Sequence, residues 1–124
     1  IIAEPYINRE FSIYAYPIET ILSQKIIALI DGTNAKDLWD IYFLHTLKGI
    51  IVKEPIKETI AKYNKAKNTN FNLRKVLFVI NEIVSERDFL IISQIYIPEN
   101  LRTKFELVKK EVANFVKEYW NFSS

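Results

Sequence analysis

The sequence predicts a mainly α fold, a helical bundle with a short N-terminal β segment, on three observations. Apolar residues recur at spacings of three and four along most of the chain, the period of a helix with one buried face. Residues that start and stop helices punctuate those stretches. Only residues 1–15 alternate apolar and polar positions as a half-buried strand does. The 124 residues, 49% hydrophobic, make one domain's length with enough apolar material for a core.

Within residues 1–15, Phe11, Ile13 and Ala15 alternate with polar neighbours. Two short strands make a poor sheet by themselves. This segment is therefore expected to be a strand remnant of a larger core, with residues 16–124 as the helical domain that follows it. The opening IIAEPYINRE has neither the basic region nor the cleavage site of a signal peptide. It also lacks an initiator Met, so the chain reads as a piece of a longer protein that is α+β as a whole.

Pro17 suits the first turn of a helix, predicted over residues 18–30. Asp31-Gly32-Thr33-Asn34 is a turn, with Gly32 as C-terminal cap and Thr33 or Asn34 as N-cap of a second helix over 35–47. That second helix is apolar nearly all round, as a buried one is, and Lys48-Gly49 ends it. A third helix covers 55–65. Asn72 is placed to cap a fourth over 73–84, and Ser85 a short one beginning at Glu86. Leu101, Phe105, Val108, Val112, Phe115 and Tyr119 then mark a long amphipathic helix over 98–120. Its heptad-like stripe suits either this chain's own core or a homodimer seam.

Composition excludes more than it selects. A net charge of +2 is too mild to predict a nucleic-acid partner by itself. Lys57, Lys62, Lys65 and Lys67 fit a solvated helix face as well as a track for a phosphate backbone. The absence of cysteine rules out disulfides and thiolate metal sites and suits a reducing cytoplasm. No apolar run approaches the roughly 20 residues that span a bilayer, so no membrane partner is expected.

Three charges stand where helical periodicity calls for apolar side chains. Ile21, Leu22, Ile26 and Leu29 form one stripe of the first helix at about 100° per residue, and Lys25 falls in its middle. A buried ammonium is costly unless it is paired or reaches a polar cavity. Across a short turn the first two helices pack as antiparallel neighbours. Lys25 then lies as far before the turn's midpoint as Asp40 lies after it, and Asp37 shares Asp40's side by its i, i+3 spacing. Two readings stay open. Lys25 and Asp40 form a buried ion pair with Asp37 as a helix-capping carboxylate, or the three line a cleft suited to phosphates and to aligning a nucleophile.

These residues carry a resemblance. Tyr16-Pro17-Ile18-Glu19, Lys25, Ala28, Asp37-Leu38 and Asp40 fall without a gap on a C-terminal segment typical of the AbiEii/AbiGii-type nucleotidyltransferase toxins, a group that includes the MenT toxins. The stretch Tyr16–Leu44 resembles that segment. The resemblance implies transfer of a nucleotidyl group from a nucleoside triphosphate, with Mg2+, to an acceptor that can be tRNA, and an antitoxin protein as partner. It implies that Lys25 holds the triphosphate, with Lys36 beside it where the family carries Arg. Asp37 and Asp40 become the candidate catalytic carboxylates. Asp37 acts chemically or positions the acceptor hydroxyl, and Asp40 orients Lys25 or the hairpin. Gly32 and Asn34 stand where these toxins often have Arg. The family's Gly-Ser motif and metal-binding carboxylates precede the point that matches Ile1. By itself this chain is therefore expected to hold no cofactor and to catalyse nothing. The rival expectation is a helical module that binds protein or RNA, with the hairpin charges purely structural.

The remaining singular residues read as packing. His45, the one histidine, has no serine or second metal ligand at useful spacing and suits a core or edge position. Trp39, Tyr42, Phe43 and Tyr119 fall at helical spacing, whereas Trp120 and Phe122 are better placed to touch a partner.

Overall fold

The computed structural model describes residues 18–122, and among them the fold is mainly α. The expected strand at residues 1–15 lies outside the described residues. Helix α1 runs Ile18–Gly32 and α2 runs Ala35–Tyr42, continuing as a π-helical turn over Phe43–Leu47. Helix α3 covers Ile56–Lys67, and α4 covers Leu73–Phe78 with a second π-helical turn at Val79–Ile83. Helix α5 spans Glu86–Tyr96, and after a 3-10 turn at Glu99–Leu101 the chain ends in α6, Phe105–Glu118.

Helix α2 is the centre of the bundle and packs against α1, α5 and α6. Its all-round apolar sequence has this cause: Leu38, Trp39, Ile41 and the following Phe43 and Leu44 are each at most 1% exposed. Each such side chain contributes about 1.5–3 kcal/mol by leaving water. The stripe of α6 completes the core, with Phe105, Val108, Val112 and Phe115 all buried. The apolar seam that suited either a core or a dimer is therefore occupied by this chain's own helices.

Several helix ends match their sequence signals. The Asn72 side chain accepts a hydrogen bond from the Lys75 amide, and Ser85 Oγ accepts one from the Asp88 amide, each satisfying an otherwise unpartnered first-turn donor. Gly49 has φ +70°, a left-handed turn that glycine adopts without penalty, and it terminates α2's π-helical extension.

Two boundaries differ from expectation. Gly32 belongs to α1, and the residue that turns left-handed to end the helix is Thr33, at φ 54°, its amide bonded to the Leu29 carbonyl at 2.8 Å. The last helix begins at Phe105 and not near Pro98. The reason is Arg102. Its guanidinium donates to the carbonyls of Ser93 at 3.0 Å, Gln94 at 3.3 Å and Ile97 at 3.2 Å, the unpaired acceptors at the end of α5. Capping α5 keeps residues 98–104 out of α6, in a 3-10 turn and the extended residues that follow it.

Helix α3 has no side-chain cap at its start. Its first amides, Ile56 and Lys57, bond instead to the carbonyls of Tyr119 and Trp120, both at 2.9 Å. The tail of α6 is thereby fastened across the first turn of α3.

Candidate functional site

The short Thr33-Asn34 connection sets α1 and α2 antiparallel, and the expected symmetry about it holds. Lys25 Nζ lies 2.9 Å from Asp40 Oδ2 and 3.4 Å from Asp37 Oδ1. The i, i+3 spacing puts both carboxylates toward α1. Lys36 joins them, its Nζ 3.1 Å from Oδ1 and 3.2 Å from Oδ2 of Asp40. Sequence reasoning named Lys36 as a phosphate ligand and missed this bond, although an i, i+4 Lys–Asp spacing on one helix was the available signal.

Burial divides the four groups into two layers. The Asp40 side chain is 0% exposed, and both its oxygens are held by ammonium groups. Lys25, Asp37 and Lys36 remain 18%, 15% and 22% exposed. A fully buried carboxylate thus fixes two lysines whose side chains remain partly exposed. Asp37 stands beside Lys25, in the first turn of α2, where the helix dipole favours negative charge. Its hydrogen bond runs to Lys25. Burial pushes the Asp37 carboxyl above its ordinary value. The Lys25 charge opposes that rise and the neighbouring Asp40 adds to it.

The set does not suit a resident Mg2+. Among the described residues no third carboxylate or histidine joins the two aspartates to make a metal cluster. Both Asp40 oxygens are already occupied by cations that would repel a dication. Compact ammonium charges at fixed spacing are what phosphate oxygens require.

Other expected residues fall into packing roles. The carbonyl of Ile50 accepts a hydrogen bond from His45 Nδ1 at 2.8 Å, and the imidazole stacks 4.2 Å from the Phe115 ring. Trp39, Tyr42 and Phe43 are buried against one another. Trp120 is half-buried and Phe122 exposed at the end of α6. No helix of the described residues is long and apolar enough to cross a membrane.

The hairpin therefore gathers two lysines and two aspartates into one cluster centred on the buried Asp40. The match of residues 1–121 to the family of the nucleotidyl transferase AbiEii toxin, of the type IV toxin–antitoxin system, makes the chain a member of that family. Comparison with curated proteins and with solved structures finds no match.

Proposed function

We propose that the α1–α2 hairpin is the phosphate-facing wall of a nucleotidyltransferase site, and that this protein moves a nucleotidyl group from a nucleoside triphosphate to a hydroxyl acceptor. The observation that supports this reading most is the two-layer cluster: a fully buried Asp40 holding Lys25 and Lys36, whose side chains stay partly exposed. Catalysis of phosphoryl chemistry rests mainly on positioning and charge stabilisation, which such a pair supplies.

In the reaction, the acceptor oxygen attacks the α-phosphorus and the bond to the pyrophosphate leaving group breaks. Lys25 and Lys36 hold the triphosphate and take up the charge that develops on pyrophosphate. Asp37 orients the acceptor hydroxyl and receives its proton, a role helped by a carboxyl whose affinity for protons is raised by burial. Asp40 never meets substrate; it is a positioning residue for the two lysines. The Mg2+ that the family implies would assist charge neutralisation. Asp37 and Asp40 do not suit it, because the lysines that hold them would repel a dication. The toxin–antitoxin family points to an antitoxin as partner, and tRNA in the cytoplasm is the acceptor class we favour.

A second reading has one observation in its favour: a carboxylate that is 0% exposed and doubly bonded is also what a purely structural core ion pair looks like. Lys25→Met in the complete gene product separates the two. The catalytic reading expects transfer from a radiolabelled triphosphate to fall about 10²–10³-fold, with only about 1–2 kcal/mol of stability lost because Lys36 still pairs with Asp40. A variant that transfers label at the native rate rejects the role of Lys25.

A further inference from the structure

Several of the cations are held by carboxylates: Lys25, Lys36, Lys62 and Lys109 are each paired with one. The side chains of Arg74 and Lys57 have no ion pair among the described residues, yet they line adjoining cavities. One cavity, about 410 Å³, lies between α3, the start of α4 and the end of α6, with Lys57, Arg74 and Trp120 in its wall. The second, about 530 Å³, lies along α4 with Lys75, Phe78 and Glu82 in its wall. Asn72 and Arg74 line both, so the two cavities adjoin as a groove along the start of α4.

The aromatic content of that groove is unusual for a surface. Phe78 is 54% exposed, although a phenylalanine on a short helix gains most by facing the core. Trp120 is half-buried and is held in place by the bond from the Lys57 amide to its carbonyl. That bond brings together two features the sequence kept apart, the lysines of the third helix and the aromatic tail. Cations beside the exposed Phe78 ring and the half-buried Trp120 suit phosphates and unstacked bases. A duplex, whose bases are already stacked, leaves the rings without a partner.

We propose that this groove binds single-stranded nucleic acid, with Lys57, Arg74 and Lys75 on phosphates and Phe78 and Trp120 on bases. The site is independent of the hairpin chemistry: it stands whether or not Lys25 serves catalysis.

The test is fluorescence anisotropy of the complete gene product with a labelled single-stranded RNA ten-mer and a duplex of the same length. Single-strand binding is expected to exceed duplex binding and to weaken with salt, with a log–log slope near −2 for three phosphate contacts at about −0.7 each. Arg74→Glu and Phe78→Ser should each weaken binding about tenfold or more. Both positions are exposed, so the far-ultraviolet circular dichroism should stay native. Lys65→Glu, outside the groove, should bind within about twofold, and Lys25→Met should bind as the native protein does, whatever its transfer activity. Native-strength binding by Arg74→Glu, equal affinity for duplex, or displacement of RNA by polyglutamate at the same concentration as by unlabelled RNA would overturn the proposal.

Discussion

Two clusters of opposite charges in this molecule use similar groups to different ends. On the surface, the Glu54 carboxylate accepts from Lys62 Nζ and from the Thr59 hydroxyl, both at 2.9 Å, with Lys62 73% exposed. In the hairpin, Asp40 accepts at similar distances from Lys25 and Lys36 but is closed off from water. The lengths of the bonds barely distinguish the two. Solvent does. Water screens and competes with the first cluster, which therefore adds little. In the second, each charge depends on the others, and removing one changes what the rest can do.

The sharpest way to break this contrast is to remove the centre of the buried cluster. Asp40→Ala leaves two ammonium groups without their shared acceptor and should cost about 3 kcal/mol in a urea titration, the low end for a broken buried pair because both lysines retain a route to solvent. Lys25→Met follows. Its loss of transfer should far outweigh its loss of stability, about 1–2 kcal/mol, since Asp40 keeps Lys36.

Asp37→Asn sharpens the comparison through pH. Burial raises the carboxyl's pKa in the folded protein above the 3.8 of an ordinary aspartate. The proton is therefore bound more tightly in the folded state. The stability Asp37 contributes is complete below the unfolded value and is lost as pH rises through the folded one. The Asn variant should melt higher than the native protein at pH 7, with the gap closing on acidification toward pH 3, while its transfer activity falls. A lower melting temperature at pH 7 would contradict this assignment.

The smallest effect belongs to the surface cluster. Bonding to Lys62 holds the Glu54 carboxyl below its ordinary value despite some opposing desolvation. That contribution is present above pH 4.5 and is lost as pH falls through the lowered pKa. Lys62→Ala should nevertheless leave the melting temperature unchanged within error at neutral pH, and a clear drop would show that exposure is not what separates the two clusters.

Much of this was legible in the sequence, for definable reasons. Periodicity reports which face a helix buries, so the central place of α2 and the core role of the α6 stripe could be read directly. Asn72 and Ser85 announced helix starts because their side chains bond amides only three residues away. The meeting of Lys25 with Asp37 and Asp40 followed from counting outward from a short turn. What stayed hidden depends on partners distant in sequence or on backbone choices that several residues tolerate. Nothing near Pro98 shows that Arg102 reaches back to the end of α5, so the last helix was expected too early. The left-handed residue after α1 is threonine with a glycine beside it, against the usual preference. At the candidate site, sequence supplied the residues and their meeting; it did not reveal that Asp40 would be sealed beneath the other three. Burial is a property of the assembled bundle.

The bonds from the α3 amides to Tyr119 and Trp120 also bear on the order in which the molecule takes shape on the ribosome. The acceptors that complete the start of α3 are translated well after its donors. Until they emerge, water must occupy those donors. The charged hairpin relies on contacts close in sequence and can form early, whereas the bundle closes only when its tail arrives to clasp the middle of the chain.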